Sequence, residues 1–370
     1  MKIIFAIRND YQSHFGGDVV QMLKTKEYLE KIGNIEIVIC NSVESIMENR
    51  DAEIMHIFNI QTLKESCMYM KAAKELNLKV ALSTIYWDLS YSTYVQKTEK
   101  MKLEIPTKLG KNLTFSALKY LRKSKNDYSY LSKGYFENSI YLINNADILL
   151  PNSEEELEQI SKNFNLRLDR LEDKTIVVPN AVDIDETSNS PYTGELPKNY
   201  VLEVARIEVI KNQINVVRAL EDNPEIPIVF VGAEIESSYL TNLKKRALKR
   251  GNVYFLGRVP HEQLADIYRK AAVHILPSFR ESPGLSSLEA LQQKTNIVVS
   301  SKEYCPIDYY KFNEVGSICN PFDRRSIKES IMAEMNTKRD LNDDFLINYS
   351  YEKAAENTFL GYKKLLEMTN

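Results

Sequence analysis

Short runs of β-branched and other apolar residues alternate with amphipathic stretches along most of the chain. The first series of strand-like runs occupies residues 2–7, 35–40, 52–58, 79–84, 147–151 and 175–179. A second series occupies residues 200–205, 226–232, 253–257, 273–278 and 296–300. Strands separated by helical segments predict parallel sheets with right-handed crossovers. We therefore predict an α/β protein with two Rossmann-like domains.

A polar segment rich in turn residues, 180–198, separates the two series and is typical of a linker. We place the N-terminal domain at residues 1–185 and the C-terminal domain at residues 195–349. Ligands of parallel sheets bind beyond the carboxyl ends of the strands, so we expect the two domains to face a cleft. Residues 349–367 carry apolar side chains at helical spacing and predict a long C-terminal helix.

The stretch RESPGLSSLEA, residues 280–290, follows a strand-like run and predicts the start of a helix. Ser282 suits the N-cap position, and Pro283 suits the first helical position, where its missing N–H costs nothing. The unpaired N–H donors of the first turn, which suit an anion or a polyhydroxyl ligand, then belong to Gly284, Leu285 and Ser286.

Two carboxylates flank this helix start. Glu281 precedes it, and Glu289 lies inside the helix, where side chains lean toward the N-terminus. We expect both carboxylates to face one ligand. A favourable charge near a helix N-terminus would explain Glu281 alone, but it would not explain Glu289.

Composition limits the classes of partner. The 370 residues carry a formal charge of −3, which gives no global attraction to nucleic acid or to an anionic membrane. The four cysteines form no CxxC pair and are expected to be free thiols in a reducing cytosol. Neither GxGxxG nor GxxxxGK[ST] occurs, which argues against a dinucleotide oxidoreductase or a P-loop enzyme. Because no signal peptide or spanning run is found, we expect a cytoplasmic protein.

Five stretches occur in order along almost the whole chain. They read HFGGDVVQMLKTKEYLEKIG, ADILLPNSEEELEQI with TIVVPNAVD, VARIEVIKN, VYFLGRVPHEQLADIYRKAAVHILPSFRESPG and ESPGLSSLEA. Together they resemble the retaining family 4 glycosyltransferases of GT-B fold. The resemblance implies two Rossmann-like domains and a C-terminal helix, residues 350–370, that returns to the N-terminal domain.

The resemblance also implies roles for individual residues. Arg206 and Lys211 would hold the donor diphosphate, Glu289 the ribose hydroxyls, and Glu281 the transferred sugar. The N–H groups of residues 284–286 would bind sugar hydroxyls, and Arg258 would lie beside the nucleobase. Gly16 and Gly17 would let the phosphate and the acceptor approach the backbone closely. Arg206 and Lys211 taken alone also fit a surface pair.

A nucleoside diphosphate leaving group accumulates negative charge, which preorganised cations and N–H donors stabilise. This chemistry agrees with the resemblance, which implies a retaining glycosyltransferase that moves a hexose or related sugar from a nucleoside-diphosphate sugar to a glycan, lipid-linked or other hydroxyl acceptor. UDP is favoured over GDP as the nucleotide, and neither a metal nor another cofactor is expected. The stretch Asp183-Ile184-Asp185 imitates a metal motif and is interpreted as a turn. The alternatives are a non-hydrolysing nucleotide-sugar epimerase and a catalytically silent sugar-nucleotide-binding subunit.

Two further regions concern the acceptor. Trp87 and Asp88 stand where relatives carry acceptor-side residues, although a packing role is equally consistent with them. Residues 91–134 hold ten Lys/Arg against three acids, and no acid occurs between Lys108 and Lys125. This pattern predicts a basic amphipathic helix that meets an anionic membrane surface or a polyanionic acceptor. Packing of the helix on the N-terminal domain, with its basic face in solvent, is the alternative.

Overall fold

The computed structural model describes residues 1–13, 16–100, 108–183, 190–337, 339 and 343–367. The chain forms two compact units. The first unit contains Met1–Trp87, Ser116–Ala181 and Ile347–Asn370, and the second contains Asp88–Phe115 and Val182–Leu346. Each unit is built around one parallel sheet.

The strands follow the predicted alternation. They are β1 (Lys2–Ala6), β2 (Glu36–Cys40), β3 (Ile54–Phe58), β4 (Lys79–Ser83), β5 (Ile148–Leu149), β6 (Tyr200–Val204), β7 (Ile228–Val231), β8 (Val253–Phe255), β9 (Ala271–Leu276), β10 (Ile297–Ser300) and β11 (Gly316–Cys319). Within the described residues, the first sheet has the order β2-β1-β3-β4-β5 and the second the order β11-β10-β9-β6-β7-β8. The pairs are parallel, which confirms the predicted Rossmann-like architecture.

The helices connect the strands. They are α1 (Gly17–Ile32), α2 (Val43–Glu48), α3 (Leu63–Glu75), α4 (Ser90–Lys100), α5 (Lys108–Arg122), α6 (Lys133–Asn145), α7 (Glu154–Phe164), α8 (Leu168–Glu172), α9 (Gln213–Ala219), α10 (Ser238–Arg250), α11 (His261–Lys270), α12 (Leu285–Gln292), α13 (Phe312–Val315), α14 (Arg324–Met335) and α15 (Tyr351–Glu367). A 3₁₀ helix occupies Asp343–Tyr349.

The C-terminal helix α15 belongs to the first unit, as predicted. Its Ala355 and Leu365 are fully buried in the core of that unit. The hydroxyl of Tyr362 lies 2.6 Å from Nδ1 of His56 on β3, and Nε2 of His56 lies 2.8 Å from the hydroxyl of Ser83 on β4. A buried polar network therefore joins the last helix of the chain to the first sheet.

Three elements differ from the sequence prediction. Residues 175–179 were predicted as a strand but form only an isolated bridge between Thr175 and Leu149. The neighbouring strand β5 is only two residues long, which limits the pairing. The strand β11 was not predicted, since GSIC is short and begins with glycine. Residues 88–115 group with the second unit, because Tyr91, Tyr94 and Val95 of α4 pack with Phe279 and Tyr304.

No helix within the described ranges is both long enough and apolar enough to cross a membrane.

Candidate functional site

The central contact of the candidate site joins Lys211 and Glu281. The Lys211 Nζ lies 2.5 Å from the Glu281 Oε1, and the two side chains are 19% and 7% exposed. Lys211 follows β6 and Glu281 follows β9, which are neighbours in the second sheet, so their carboxyl ends meet at one edge. The N–H of Phe279 donates to the carbonyl of Ile210 at 2.8 Å and ties the two loops together.

Arg206 does not join this pair. Its side chain is 62% exposed and forms an ion pair with Glu208 at 3.1 Å. It therefore fits the surface pair that the sequence allowed, while Lys211 does not. The diphosphate role of Arg206 stays a prediction.

The helix after Glu281 begins two residues later than predicted. α12 starts at Leu285, and Gly284 is its cap with a φ of 92°, a left-handed value that cannot continue into an α-helix. The prediction of Ser282 as N-cap and Pro283 as first helical residue was therefore wrong. Leu285 and Ser286 remain donors of the first turn.

Gly284 also brings the backbone close to the carboxylate. A Cβ at this position would lie 2.6 Å from the Leu276 Cδ2 and 3.2 Å from the Glu281 Oε2. Any larger residue would push against the Glu281 side chain. The glycine thus keeps the carboxylate and the helix N-terminus together.

Glu289 lies on α12 and contacts α11. The hydroxyl of Tyr268 donates to the Glu289 Oε2 at 2.9 Å, and the His261 Nε2 lies 3.6 Å from the Oε1. Burial, and then the charge of Glu289, raise the pKa of Tyr268 well above its usual value, so that Tyr268 remains a donor. The two predicted carboxylates therefore have different protein partners, and their sharing of one ligand stays a prediction.

The remaining predicted donor residues lie at strand ends or helix starts. Arg258 is exposed and follows β8 and Gly257. In the first unit, Gly16 caps α1 and Gly17 begins it. A Cβ on Gly17 would have no heavy atom within 4 Å, so the backbone there is open to a ligand.

The sequence did not identify the charged cluster beside these glycines. The Arg8 Nε donates to the Asp18 Oδ2 at 2.9 Å, and Nη1 donates to the Asp10 Oδ1 at 2.6 Å. The hydrogen bond to Asp18 has the largest effect and raises the pKa of Arg8. Burial lowers this pKa and Asp10 raises it, so the pKa is raised overall. A single basic residue after the first strand was too weak a signal to mark this cluster.

Trp87 and Asp88 have structural roles in the described fold. Trp87 is 1% exposed, which agrees with its packing alternative. The Asp88 Oδ1 accepts from the N–H of Ser90 at 2.8 Å, and Oδ2 accepts from the Ser90 hydroxyl at 2.7 Å. Asp88 therefore stabilises the start of α4. A contact of either residue with an acceptor stays a prediction.

A buried acid beneath the Lys211–Glu281 pair was also not identified. Glu203 lies on β6 and is 1% exposed, and neither carboxyl oxygen has a hydrogen-bond partner among the described residues. Burial raises the pKa of Glu203 well above its usual value; Lys211 opposes the rise and Glu281 adds to it. An acid within the apolar run YVLEV was the available signal.

Metal ligands do not cluster in the part of the chain that the structure describes. No group of three or more His, Cys, Asp or Glu side chains there is placed to hold an ion. The carbonyl of Asp183 accepts a hydrogen bond from the Gln292 side chain, and Asp185 lies outside the described residues. Metal independence stays a prediction.

Part of the chain matches a known family model, and the curated relatives match it over part of their length. Residues 186–352 match the family model described as glycosyl transferases group 1. The O-antigen chain mannosyltransferase B of Escherichia coli is 26% identical over 255 residues, which cover 62% of this chain and 64% of that protein. A D-inositol 3-phosphate glycosyltransferase of Mycobacteroides abscessus is 28% identical over 45% of this chain and 39% of its own length.

Solved structures resemble the whole chain in fold. Sucrose-phosphate synthase from Thermosynechococcus elongatus has a TM-score of 0.73 at 15% identity and covers 99% of both chains. The Anabaena protein HepE, solved in complex with UDP, has a TM-score of 0.65 at 14% identity and covers 100% of both chains. These likenesses bear out the predicted GT-B fold.

Proposed function

We propose, because residues 186–352 match the family model described as glycosyl transferases group 1, that the protein is a retaining glycosyltransferase. It moves a hexose or related sugar from a nucleoside-diphosphate sugar to a hydroxyl group of a glycan or lipid-linked acceptor, without a metal ion.

The contact between Lys211 and Glu281 is the observation that carries this proposal. A half-buried ammonium, held at 2.5 Å by a carboxylate, is preorganised beside the first turn of α12. A diphosphate that enters here meets the Lys211 charge and the N–H donors of Leu285 and Ser286 together. Charge-assisted hydrogen bonds of this type contribute about 1.5–3 kcal/mol each.

The reaction follows from the charge that these groups stabilise. The bond between the anomeric carbon and the phosphate oxygen breaks, and Lys211 and Arg206 stabilise the departing diphosphate. The acceptor oxygen bonds to the anomeric carbon on the same face, and its proton passes to the departing phosphate oxygen. Glu281 positions the sugar and stabilises the positive charge that develops on its ring, and Glu289 holds the ribose. The products are a glycoside with retained configuration and a nucleoside diphosphate.

Two relatives support the substrate classes. HepE was solved with UDP, which favours UDP over GDP as the nucleotide of the donor. The Escherichia coli relative is named for mannose transfer to the O-antigen chain, which supports a glycan of cell-surface type as acceptor.

Incubation of the purified protein with UDP-sugars and GDP-sugars, followed by NMR, tests the proposal. We expect slow release of free sugar with its anomeric configuration retained, and release of the nucleoside diphosphate. An epimerised sugar would indicate the epimerase, and binding without turnover would indicate the silent subunit. Either result would refute transfer as the activity. Glu281→Ala is the matched control, because it should strongly lower release in a variant whose circular dichroism shows a folded protein.

We further propose that α5 attaches the protein peripherally to an anionic membrane, at the inner face if the protein is cytoplasmic. The side chains of Leu113, Tyr120 and Leu121 are 66%, 84% and 68% exposed. The exposed leucines leave part of the apolar side of the helix in solvent, whereas Phe115 packs against the cluster that contains Tyr91. Residues 108–125 contain six basic and no acidic residues, and each charge near anionic lipid contributes about 1 kcal/mol.

Liposome co-sedimentation tests this attachment. Binding should rise with anionic lipid, fall with salt, and weaken in a Lys119→Glu/Lys123→Glu variant. Arg122 is better left in place, because its Nη1 donates to the Tyr130 carbonyl at 2.6 Å and its loss would disturb the fold. The matched control reverses Lys245 and Lys249 on α10 and should bind as the wild type does. A protein that ignores anionic liposomes at low salt would refute attachment and favour a soluble acceptor.

A further inference from the structure

Tyr91 of α4 contacts the loop that follows β10, and this loop is hydrogen-bonded to the backbone of Glu281. The hydroxyl of Tyr91 donates to the Glu303 Oε2 at 2.9 Å, and its ring meets the ring of Tyr304 edge to face, with centroids 4.6 Å apart. Tyr91 is 5% exposed and Tyr304 is 4% exposed. Both rings belong to one apolar cluster of the second unit, which also includes Phe279.

The backbone of Tyr304 continues this contact to the predicted sugar site. The carbonyl of Tyr304 accepts the N–H of Glu281 at 2.7 Å, and the N–H of Tyr304 donates to the carbonyl of Ser301 at 2.8 Å. The N–H of Ser301 donates in turn to the carbonyl of Cys319 on β11 at 2.9 Å. The loop is therefore anchored to the sheet at one end and to Glu281 at the other, with Tyr91 packed against it.

We infer that Tyr91 is a positioning residue for the sugar-binding carboxylate of Glu281, acting through Glu303 and Tyr304. This inference rests on the proposed function. Glu281 itself is held from one side by the Lys211 ammonium and from the other by the Tyr304 carbonyl. A shift of the Tyr304 loop would therefore move the Glu281 backbone relative to Lys211.

The hydrogen bond from Tyr91 to Glu303 does not depend on pH in the physiological range. Burial, followed by Glu303, raises the pKa of Tyr91 to about 12, so its hydroxyl remains a donor across the physiological pH range. Tyr91 comes from the stretch between β4 and α5, outside the second series of strands. The geometry of the sugar site thus depends on a residue that no sugar-nucleotide motif contains.

Separate titrations of UDP and of a UDP-sugar, with steady-state hydrolysis, test the role of Tyr91. Tyr91→Phe removes the hydroxyl and keeps the ring. We expect UDP affinity to stay within about twofold of the wild type, because Glu289, which is proposed to hold the ribose, lies outside the chain of contacts. The kcat for sugar release should fall about five- to fiftyfold, because displacing a reacting group by less than about 1 Å lowers a rate by factors of this size.

Controls separate positioning from general destabilisation. Tyr254→Phe, on the exposed face of β8, should leave both quantities unchanged, and Glu303→Gln, which keeps an acceptor for Tyr91, should retain most of the kcat. An unchanged kcat in Tyr91→Phe, beside a reduced kcat in Glu281→Ala, would overturn this inference alone. An unchanged kcat in both variants would overturn the assignment of the sugar site. Equal losses of UDP and UDP-sugar affinity would show that Tyr91 is only structural.

Discussion

Replacing Glu203 with glutamine should stabilise the second unit, and the gain should grow with pH. The carboxyl group is 1% exposed and has no hydrogen-bond partner among the described residues, and burial raises its pKa well above the usual value. The unfolded chain releases this proton at about pH 4.3, whereas the folded chain keeps it to higher pH. Because the folded state binds more protons in that window, wild-type stability falls as the pH rises through it.

The slope of this effect follows from linkage. Each pH unit inside the window costs the wild type about 1.4 kcal/mol relative to the glutamine variant, which has no proton to lose. Over two pH units, the difference in the free energy of unfolding amounts to about 2.7 kcal/mol. This corresponds to about 5–11 °C in Tm for a domain of 150–250 residues. Urea unfolding at pH 5, 6 and 7, followed by circular dichroism, measures the difference. The single tryptophan, Trp87, lies in the first unit, so its fluorescence reports that unit separately.

A second buried acid provides the control. Glu334 is 1% exposed, but its Oε1 lies 2.5 Å from the Arg339 Nη2 and accepts from the Ser317 hydroxyl at 2.6 Å. Glu334→Gln should therefore destabilise the protein at pH 7, because it leaves the Arg339 charge without its partner. A gap between wild type and Glu203→Gln that is equal at every pH would refute the reasoning, as would a Glu203→Gln variant less stable than the wild type at pH 7.

Four further predictions concern turnover and stability. Glu289→Ala should mainly raise KM for the donor and Glu281→Ala should mainly lower kcat; near-normal kcat/KM in both folded variants would contradict the site assignment. Saturating EDTA should leave turnover roughly unchanged, since side chains supply the positive charge, and activity that Mn²⁺ restores after EDTA would contradict this. Tyr362→Phe should cost about 1–3 kcal/mol in urea unfolding at pH 7, because it leaves the Nδ1 of buried His56 without its partner. Burial lowers the pKa of His56 to about 3, so the wild type should lose stability as the pH falls below about 6.5, and a flat stability profile down to pH 4 would contradict this.

The order of elements and most of the candidate residues could be read from the chain alone. Parallel strands are buried on both faces, so they appear as continuous apolar runs, and their alternation with amphipathic helices predicts two Rossmann-like sheets. The short motif around Glu281 and Glu289 is local, and so is the loop that carries Lys211. Such features depend on residues a few positions apart, which is the range over which sequence patterns act.

Contacts between distant residues were decided only by the tertiary structure. Lys211 and Glu281 are 70 positions apart and meet because β6 and β9 are neighbours in the sheet. The start of α12 depends on a left-handed Gly284, which a Ser-Pro pair does not reveal. The lack of a hydrogen-bond partner for the Glu203 carboxyl among the described residues depends on the elements packed around β6, which the strand sequence by itself does not disclose. Tyr91 belongs to the second unit because its ring packs in an aromatic cluster there. Its burial depends on neighbours in space and not on neighbours in the chain.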